Sequence, residues 1–343
     1  MIPHLDQQKN WQDAFSDLID SPEALAQALN LPSDAFADVF AHANSGFALK
    51  VPRRFVQKMR RGDIHDPLLR QVLPTFAENV AVSGFVTDPL GENAANPLKG
   101  IIHKYASRVL IPVTGACMVH CRYCFRQHFA YNDNLPTGND WQAIGEYIRA
   151  HPAIHEVILS GGDPLSLNER RLNQILDTLE ALPQIRTIRL HSRVPVVIPE
   201  RLDDALLTRL QASRCQIVLV VHANHPNELD DATLHHLART RMAGVTVLNQ
   251  SVLLKGINDN ADTLAKLSER LWQAQVLPYY LHVLDKVAGT AHFYIPDEQA
   301  VEIYWQLLAK CAGYLVPKLV RELPDQPNKT PLDLYGHAPT IVT

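Results

Sequence analysis

The chain has 343 residues, a formal charge of −4 and a sequence pI near 6.5, so it carries no general attraction for nucleic acid or an anionic membrane. At 46% hydrophobic it is long enough to bury a sizeable core, yet its longest apolar run, "IVLVV" (217–221), is far too short to span a bilayer. Five cysteines, an odd number, fit a reducing cytoplasm better than a disulfide framework, and the opening "MIPHLDQQKNWQDAF" lacks the basic-then-apolar order of a secretory signal.

Residues 11–80 read as helical, with "SPEALAQALNL" offering Ser21 as an N-cap, Pro22 at the first helical position and Glu23 in the first turn. The looser "TDPLGENAANPLKG" (87–100) reads as a hinge. From about residue 105 short apolar runs recur: "RVLIPV" (108–113), "EVILS" (156–160), "TIRLH" (187–191), "QIVLVVH" (216–222), "VTVLNQS" (245–251) and "LPYYLHVL" (277–284). Amphipathic stretches such as "NERRLNQILDTLEAL" and "NADTLAKLSERLWQAQ" separate them. Apolar strands alternating with helices imply an α/β fold with a parallel sheet, and six units suit a partial (β/α)6 barrel. The expected organisation is a helical region over 1–100, the barrel over 101–290 and a C-terminal helix and cofactor-binding segment over 291–343. Polar clusters ("SGGD", "HSR", "HANH", "NQS", "HVLD") stand at or just past the strand ends, the rim on which such barrels assemble chemistry.

The first strand runs into "TGACMVHCRYCFRQHF" (114–129), which places Cys117, Cys121 and Cys124 at Cys-x3-Cys-x2-Cys spacing. Structural zinc takes four protein ligands, and His120 or His128 is available as a fourth. Three unreacted buried thiols are a second option. An iron–sulfur cluster is the third: with three thiolates instead of four, one iron stays open to a substrate or cofactor. Cys215 and Cys311 sit in apolar surroundings and read as core.

With Tyr123 before the third cysteine, this motif resembles that of the radical S-adenosylmethionine enzymes. The resemblance implies a [4Fe–4S] cluster on Cys117, Cys121 and Cys124 whose open iron binds S-adenosylmethionine and yields a 5′-deoxyadenosyl radical. "SGGDP" resembles the family's glycine-glycine-acid segment, which puts Gly161, Gly162 and Asp163 beside S-adenosylmethionine, the glycines allowing close backbone approach. Longer stretches, among them "GIIHKYASRVLIPVTGACMVHCRYCFRQHF", "IRLHSRVPVVIPERL", "VVHANHPNEL", "VLNQSVLLKGIND" and "PYYLHVLDKVAGTAHF", resemble the lysine 2,3-aminomutases. Those enzymes move the α-amino group of lysine to Cβ with S-adenosylmethionine and pyridoxal 5′-phosphate.

The resemblance further implies that Lys329, in "VPKLVRELPDQPNKTP", carries the pyridoxal cofactor, with Arg108 at its phosphate and Tyr105 near its ring. Arg126 matches the arginine that grips the substrate carboxylate, while Asp285 and Glu322 match the acids at the ε-ammonium. His222, Asn224 and Gln250 match polar positions of the S-adenosylmethionine site. Glu322 stands where better-known members have Asp, and "DQPN" replaces a glycine run before Lys329, which should stiffen that loop. No cysteine follows Cys311. The short form resembles the bacterial subgroup that makes (R)-β-lysine for translation elongation factor P, which a separate ligase attaches. An electron-donor protein, L-lysine as substrate, a cytoplasmic location and a homo-oligomer are the remaining expectations. The competing readings are an aminomutase for another amino acid such as glutamate, and a non-catalytic metal-binding module.

Overall fold

The computed structural model describes residues 11–32, 47–92, 94–324 and 326–334. Two short strands, β1 (Leu18–Ile19) and β2 (Val51–Pro52), pair antiparallel in the N-terminal segment. All others share one nine-stranded sheet: β3 (Ile102–Tyr105), β4 (Arg108–Thr114), β5 (Glu156–Gly161), β6 (Thr187–Ser192), β7 (Gln216–His222), β8 (Thr246–Leu253), β9 (Leu277–Val283), β10 (Lys318–Arg321) and β11 (Thr330–Pro331). Their spatial order follows the chain, β4 through β10 are parallel, and β3 and β11 close the two edges antiparallel. One cavity touches side chains from every strand from β4 to β9. A flat sheet with neighbours ~4.8 Å apart cannot bring six strands to one cavity, so the sheet curves into a partial barrel.

The six expected strands all form. The seventh parallel strand, β10, was not expected: "KLVR" is short, follows Pro317 and opens on a lysine, so it lacks an apolar run of its own. It exists because β9 offers an open edge, on which Lys318 pairs with Tyr280 and Val320 with His282. The sheet therefore continues past residue 290 into the C-terminal segment. "NQS" also lies inside β8, one residue pair short of its end.

Helices cover the outer face. Glu169–Glu180 is capped by Asn168, whose side chain accepts from the Arg171 N–H, and it buries Leu172, Ile175, Leu176 and Leu179 at i, i+3, i+4 and i+7. Ala261–Gln273 repeats the device with Asn260 as cap. Each such fully buried leucine or isoleucine contributes about 1.5–3 kcal/mol of transfer free energy.

The N-terminal segment differs from its expected helical character. Between residues 11 and 80 the described α-helices are Trp11–Ser16, Pro22–Leu29 and Arg53–Val56, the rest being turns, 3-10 turns and the β1–β2 pair. Pro22–Leu29 has the expected Ser21 cap and Pro22 start, and ends on Asn30 in the left-handed region at φ 52°. Residues 33–46 of that expectation and Asp325 of the "DQPN" run lie outside the described residues. Among the described residues no helix is long and apolar enough to cross a membrane. Cys215 is buried as expected; Cys311 is only half-buried.

At the end of β5 the backbone folds against the cysteine loop: Gly162 N–H donates to Thr114 O at 2.6 Å and Asp163 N–H to Ala116 O at 2.9 Å. Gly161 has φ +113°, and a Cβ on Gly162 would stand 2.4 Å from Ala116 O. These glycines are required by contact between two strand ends, a reason distinct from the expected one, room for a ligand. Gly162→Ala should cost about 1–3 kcal/mol by overpacking. Thermal unfolding checks this; an unchanged midpoint would contradict it.

Candidate active site

Side chains along the strands alternate, so residues two apart share a face. On the concave face this brings Ile158 and Ser160 of β5, Arg189 and His191 of β6, Gln250 and Val252 of β8, and Tyr280 and His282 of β9 to the cavity. The strand ends and the loops past them add Cys117, Cys121, Cys124 and Arg126, then Gly161 at the end of β5 with Gly162 and Asp163 after it, then Asn224 and Asp285. Tyr105, Arg108, His222, Glu322 and Lys329 complete the set, so every expected site residue lines this one cavity. Cys117 and Lys329 are remote in the chain but face the same space.

The three thiols sit on a loop without regular structure and remain partly accessible. Burial, then repulsion from Asp163 and the neighbouring cysteines, pushes Cys117 well up, and burial with repulsion from Cys121 pushes Cys124 up to about 12. Unligated, Cys117 and Cys124 are thiols; holding them as thiolates takes a cationic partner such as iron. Among the described residues no three His, Cys, Asp or Glu side chains converge as one metal ion requires. A multi-iron cluster is larger than an ion and takes thiolates spread around it. His120 and His128 do not line the cavity; His120 Nδ1 meets Ala48 O at 2.8 Å and His128 Nε2 meets Ala288 O at 3.2 Å.

Cys121 has a cationic neighbour that sequence reasoning did not single out. Arg193 Nη1 donates to Cys121 Sγ at 2.7 Å, and Nη2 donates to Gln71 Oε1 at 2.8 Å and Glu228 Oε2 at 3.1 Å. The arginine is buried and also bonds the Tyr123 hydroxyl. Asn224 joins this network, its Nδ2 donating to Tyr123 Oη at 2.7 Å and Gln71 Oε1 at 3.0 Å. Tyr123, read from its place before Cys124, thus braces the loop. Arg193 was visible only as part of the "HSR" cluster.

Asp163 is likewise committed to the protein. Oδ1 accepts from Ser192 Oγ (2.6 Å) and Leu165 N–H (3.0 Å), Oδ2 from Arg193 N–H (2.7 Å) and Val194 N–H (3.1 Å). Burial raises its pKa to about 6, the four donors opposing the shift. It pins the β5 end to the β6 end. His222 is held neutral, burial lowering its pKa to about 3 with Arg193, Arg126 and Lys329 adding repulsion. Its Nε2 accepts from Gln250 Nε2 at 2.7 Å.

At the other end of the cavity the charges are paired. Lys329 Nζ donates to Glu322 Oε2 at 2.5 Å and stands 5.8 Å from the Tyr280 ring centre. Lys104 Nζ donates to Glu322 Oε1 at 3.0 Å. Burial alone would raise the Glu322 pKa, but the two ammonium groups hold it well below the usual carboxylate range. Asp285 has no such pair; burial, then repulsion from Glu322, pushes it up to about 7. Arg108 lies 4.2 Å over the Tyr105 ring. Arg126 is buried and forked onto Glu92, Nε to Oε2 at 2.7 Å and Nη2 to Oε1 at 2.6 Å. Glu92 and Lys104 carried no signal in the sequence, one lying in the "hinge" stretch and the other on an edge strand.

A parallel partial barrel whose first loop bears a cysteine triad, with a Gly-Gly-Asp turn packed against it, defines the class of radical S-adenosylmethionine enzymes. Residues 106–192 match the family model of a 4Fe-4S single cluster domain. The chain is 48% identical over 326 residues, 95% of each chain, to the L-lysine 2,3-aminomutase of Escherichia coli (strain K12). It is 46% identical to that of Haemophilus influenzae over 96% of this chain and 97% of the relative. To that of Clostridium subterminale it is 32% identical over 94% of this chain and 77% of the relative. The chain belongs to the L-lysine 2,3-aminomutase family.

Removing the cation beside Cys121 should disturb both stability and cluster assembly. Arg193→Met removes the cation on Glu228 Oε2 and leaves that buried carboxylate only the neutral donors on Oε1, Gln71 Nε2 and the N–H groups of Asn224 and His225, at a cost of about 3 kcal/mol. Iron per chain after anaerobic reconstitution should fall, with Arg193→Lys intermediate. Full iron content and an unchanged melting temperature in Arg193→Met would contradict the bracing role.

Proposed function

We propose that this chain is a lysine 2,3-aminomutase that moves the amino group of free L-lysine from Cα to Cβ and releases β-lysine. The observation that carries the reading is a single cavity lined together by a thiol triad, Lys329, a cation, Arg126, and two acids, Asp285 and Glu322. Full-length similarity to L-lysine 2,3-aminomutases supports it.

The residues present fit the cofactors the family implies. Three thiols suit a [4Fe–4S] cluster with one iron left for a non-protein ligand. The backbone of Gly161 and Gly162, with His222, Asn224 and Gln250 lining the same cavity, suits S-adenosylmethionine. Lys329, the rings of Tyr105 and Tyr280, and Arg108 suit pyridoxal phosphate, which needs a lysine for attachment, flat partners and a cation for its phosphate. When bound, these groups supply a hydrogen-atom abstractor and a π-system across which nitrogen can migrate.

The chain's own contribution is position and exclusion. Arg126 offers a planar donor set to the α-carboxylate, and Asp285 with Glu322 forms an acidic end for the ε-ammonium. Fixing both ends of a flexible substrate places Cβ against the abstractor, where misplacement is costly. The apolar wall of Ile158, Val252 and Leu284 keeps water from the reacting atoms. The acidic end disfavours a substrate with an acidic side chain, which sets lysine above glutamate.

Resemblance to the short bacterial subgroup supports (R)-β-lysine as product and elongation factor P as its destination through a separate ligase. It likewise supports a cytoplasmic site of action and an electron-donor protein.

Incubating the anaerobically loaded protein with L-lysine, S-adenosylmethionine and reductant, followed by chiral analysis, tests the reading: β-lysine should form from lysine and no β-glutamate from glutamate. Lysine binding should also weaken in acid. Asp285 must be ionised to attract the ammonium, and its raised pKa of about 7 leaves it protonated below that pH. Affinity should therefore drop about tenfold from pH 8 to pH 6. Asp285→Asn should flatten that profile.

A further inference from the structure

Both charged ends of the substrate pocket are filled by the protein's own side chains. Glu92 stands on the Nε/Nη2 edge of Arg126 at 2.7 and 2.6 Å, where an α-carboxylate would sit, and Lys329 stands on Glu322 at 2.5 Å, where an ε-ammonium would sit. The third Arg126 nitrogen, Nη1, donates to Ser160 Oγ at 2.9 Å. Glu92 thus occupies the whole side-on fork of Arg126, and Ser160 takes one of the Nη1 hydrogens. A buried guanidinium already neutralised by a buried carboxylate attracts a second anion weakly.

Glu92 has somewhere to go. Lys104 Nζ lies 4.0 Å from Glu92 Oε1 and 3.0 Å from Glu322 Oε1, between the two ends of the pocket. Glu92 enters from a turn and not from the barrel wall: its N–H donates to Asp88 Oδ1 at 3.0 Å, and Gly91 before it has φ +62°. A rotation of its side chain moves the carboxylate without disturbing any strand.

We propose that Glu92 is a displaceable carboxylate latch that makes the site selective for a free amino acid. It holds the fork of Arg126 until an α-carboxylate replaces it, and Lys104 then receives it. The proposal rests on the aminomutase reading of the cavity. A ligand bearing both amines of lysine but no carboxylate has nothing to exchange for Glu92 and leaves the latch shut. The same holds for a lysine whose carboxyl is tied in a peptide bond. Removing the charge of Glu92 leaves Arg126 open, so carboxylate ligands alone should gain.

The test is calorimetric binding of L-lysine and of cadaverine, its decarboxylated counterpart, to the anaerobically loaded holoprotein, wild type against Glu92→Gln. Lysine should bind about tenfold tighter to the variant, with cadaverine changed by less than about twofold. Lysine bound no tighter by the folded variant would make Glu92 a fixed support of Arg126 and overturn the latch. Equal tightening of both ligands would overturn it too. A wild type that binds no lysine overturns the aminomutase reading and this proposal with it. Should Glu92→Gln fail to fold, Glu92→Asp decides: it keeps the charge but shortens the reach by one methylene, and should shift lysine binding in the same direction by a smaller factor.

Discussion

Everything in this molecule follows from seven strands running the same way. Parallel neighbours cannot be joined by a tight turn, so each connection must cross over and return, and every strand then ends on the same rim. The loops after β4, β5, β6, β7 and β9 consequently meet over one cavity, although they leave the chain between residues 114 and 285. β10 extends that logic: by pairing on β9 it delivers Glu322 and, after the turn into β11, Lys329 to the same space. The cysteine loop and the lysine share one chamber because of strand direction.

The chamber buries more charge than a core normally accepts, and it does so in alternation. Arg126, Glu92, Lys104, Glu322 and Lys329 form a ladder of opposite signs, each member within reach of the next. A buried charge is tolerable when paired and costly when alone. Asp285, unpaired, shows that cost in its raised pKa. Beside the thiols a second network joins Gln71, Arg193, Glu228, Asn224 and Tyr123 and reaches Cys121 through Arg193. The first network is the one a zwitterion would open; the second braces the cysteine loop.

Sequence patterns revealed what is local. The six apolar runs, the Ser21 cap and the cysteine spacing each lie within a few residues and obey short-range rules. The expected site residues all reached the cavity for the same reason: each stands at a strand end or in a motif read with its neighbours. Pairings across the fold were hidden. Glu92 and Arg126 are 34 residues apart and Lys104 and Glu322 are 218 apart, and neither acid nor amine marks its partner in the sequence. β10 was invisible because its stability comes from the edge of β9. Gly161 and Gly162 line the cavity as expected, but their glycine character answers to Thr114 at the end of β4 and Ala116 in the loop after it.

The claim on which the account stands is that three cysteines hold a cluster with one iron left without a protein ligand, facing the chamber that contains Lys329. Electron paramagnetic resonance of the reduced, anaerobically reconstituted protein, recorded before and after adding S-adenosylmethionine, tests it most directly. A clear change in the cluster's g-values on addition is the predicted result. A spectrum that S-adenosylmethionine leaves untouched, or a protein that retains a full cluster after Cys117, Cys121 and Cys124 are all replaced by alanine, would contradict it.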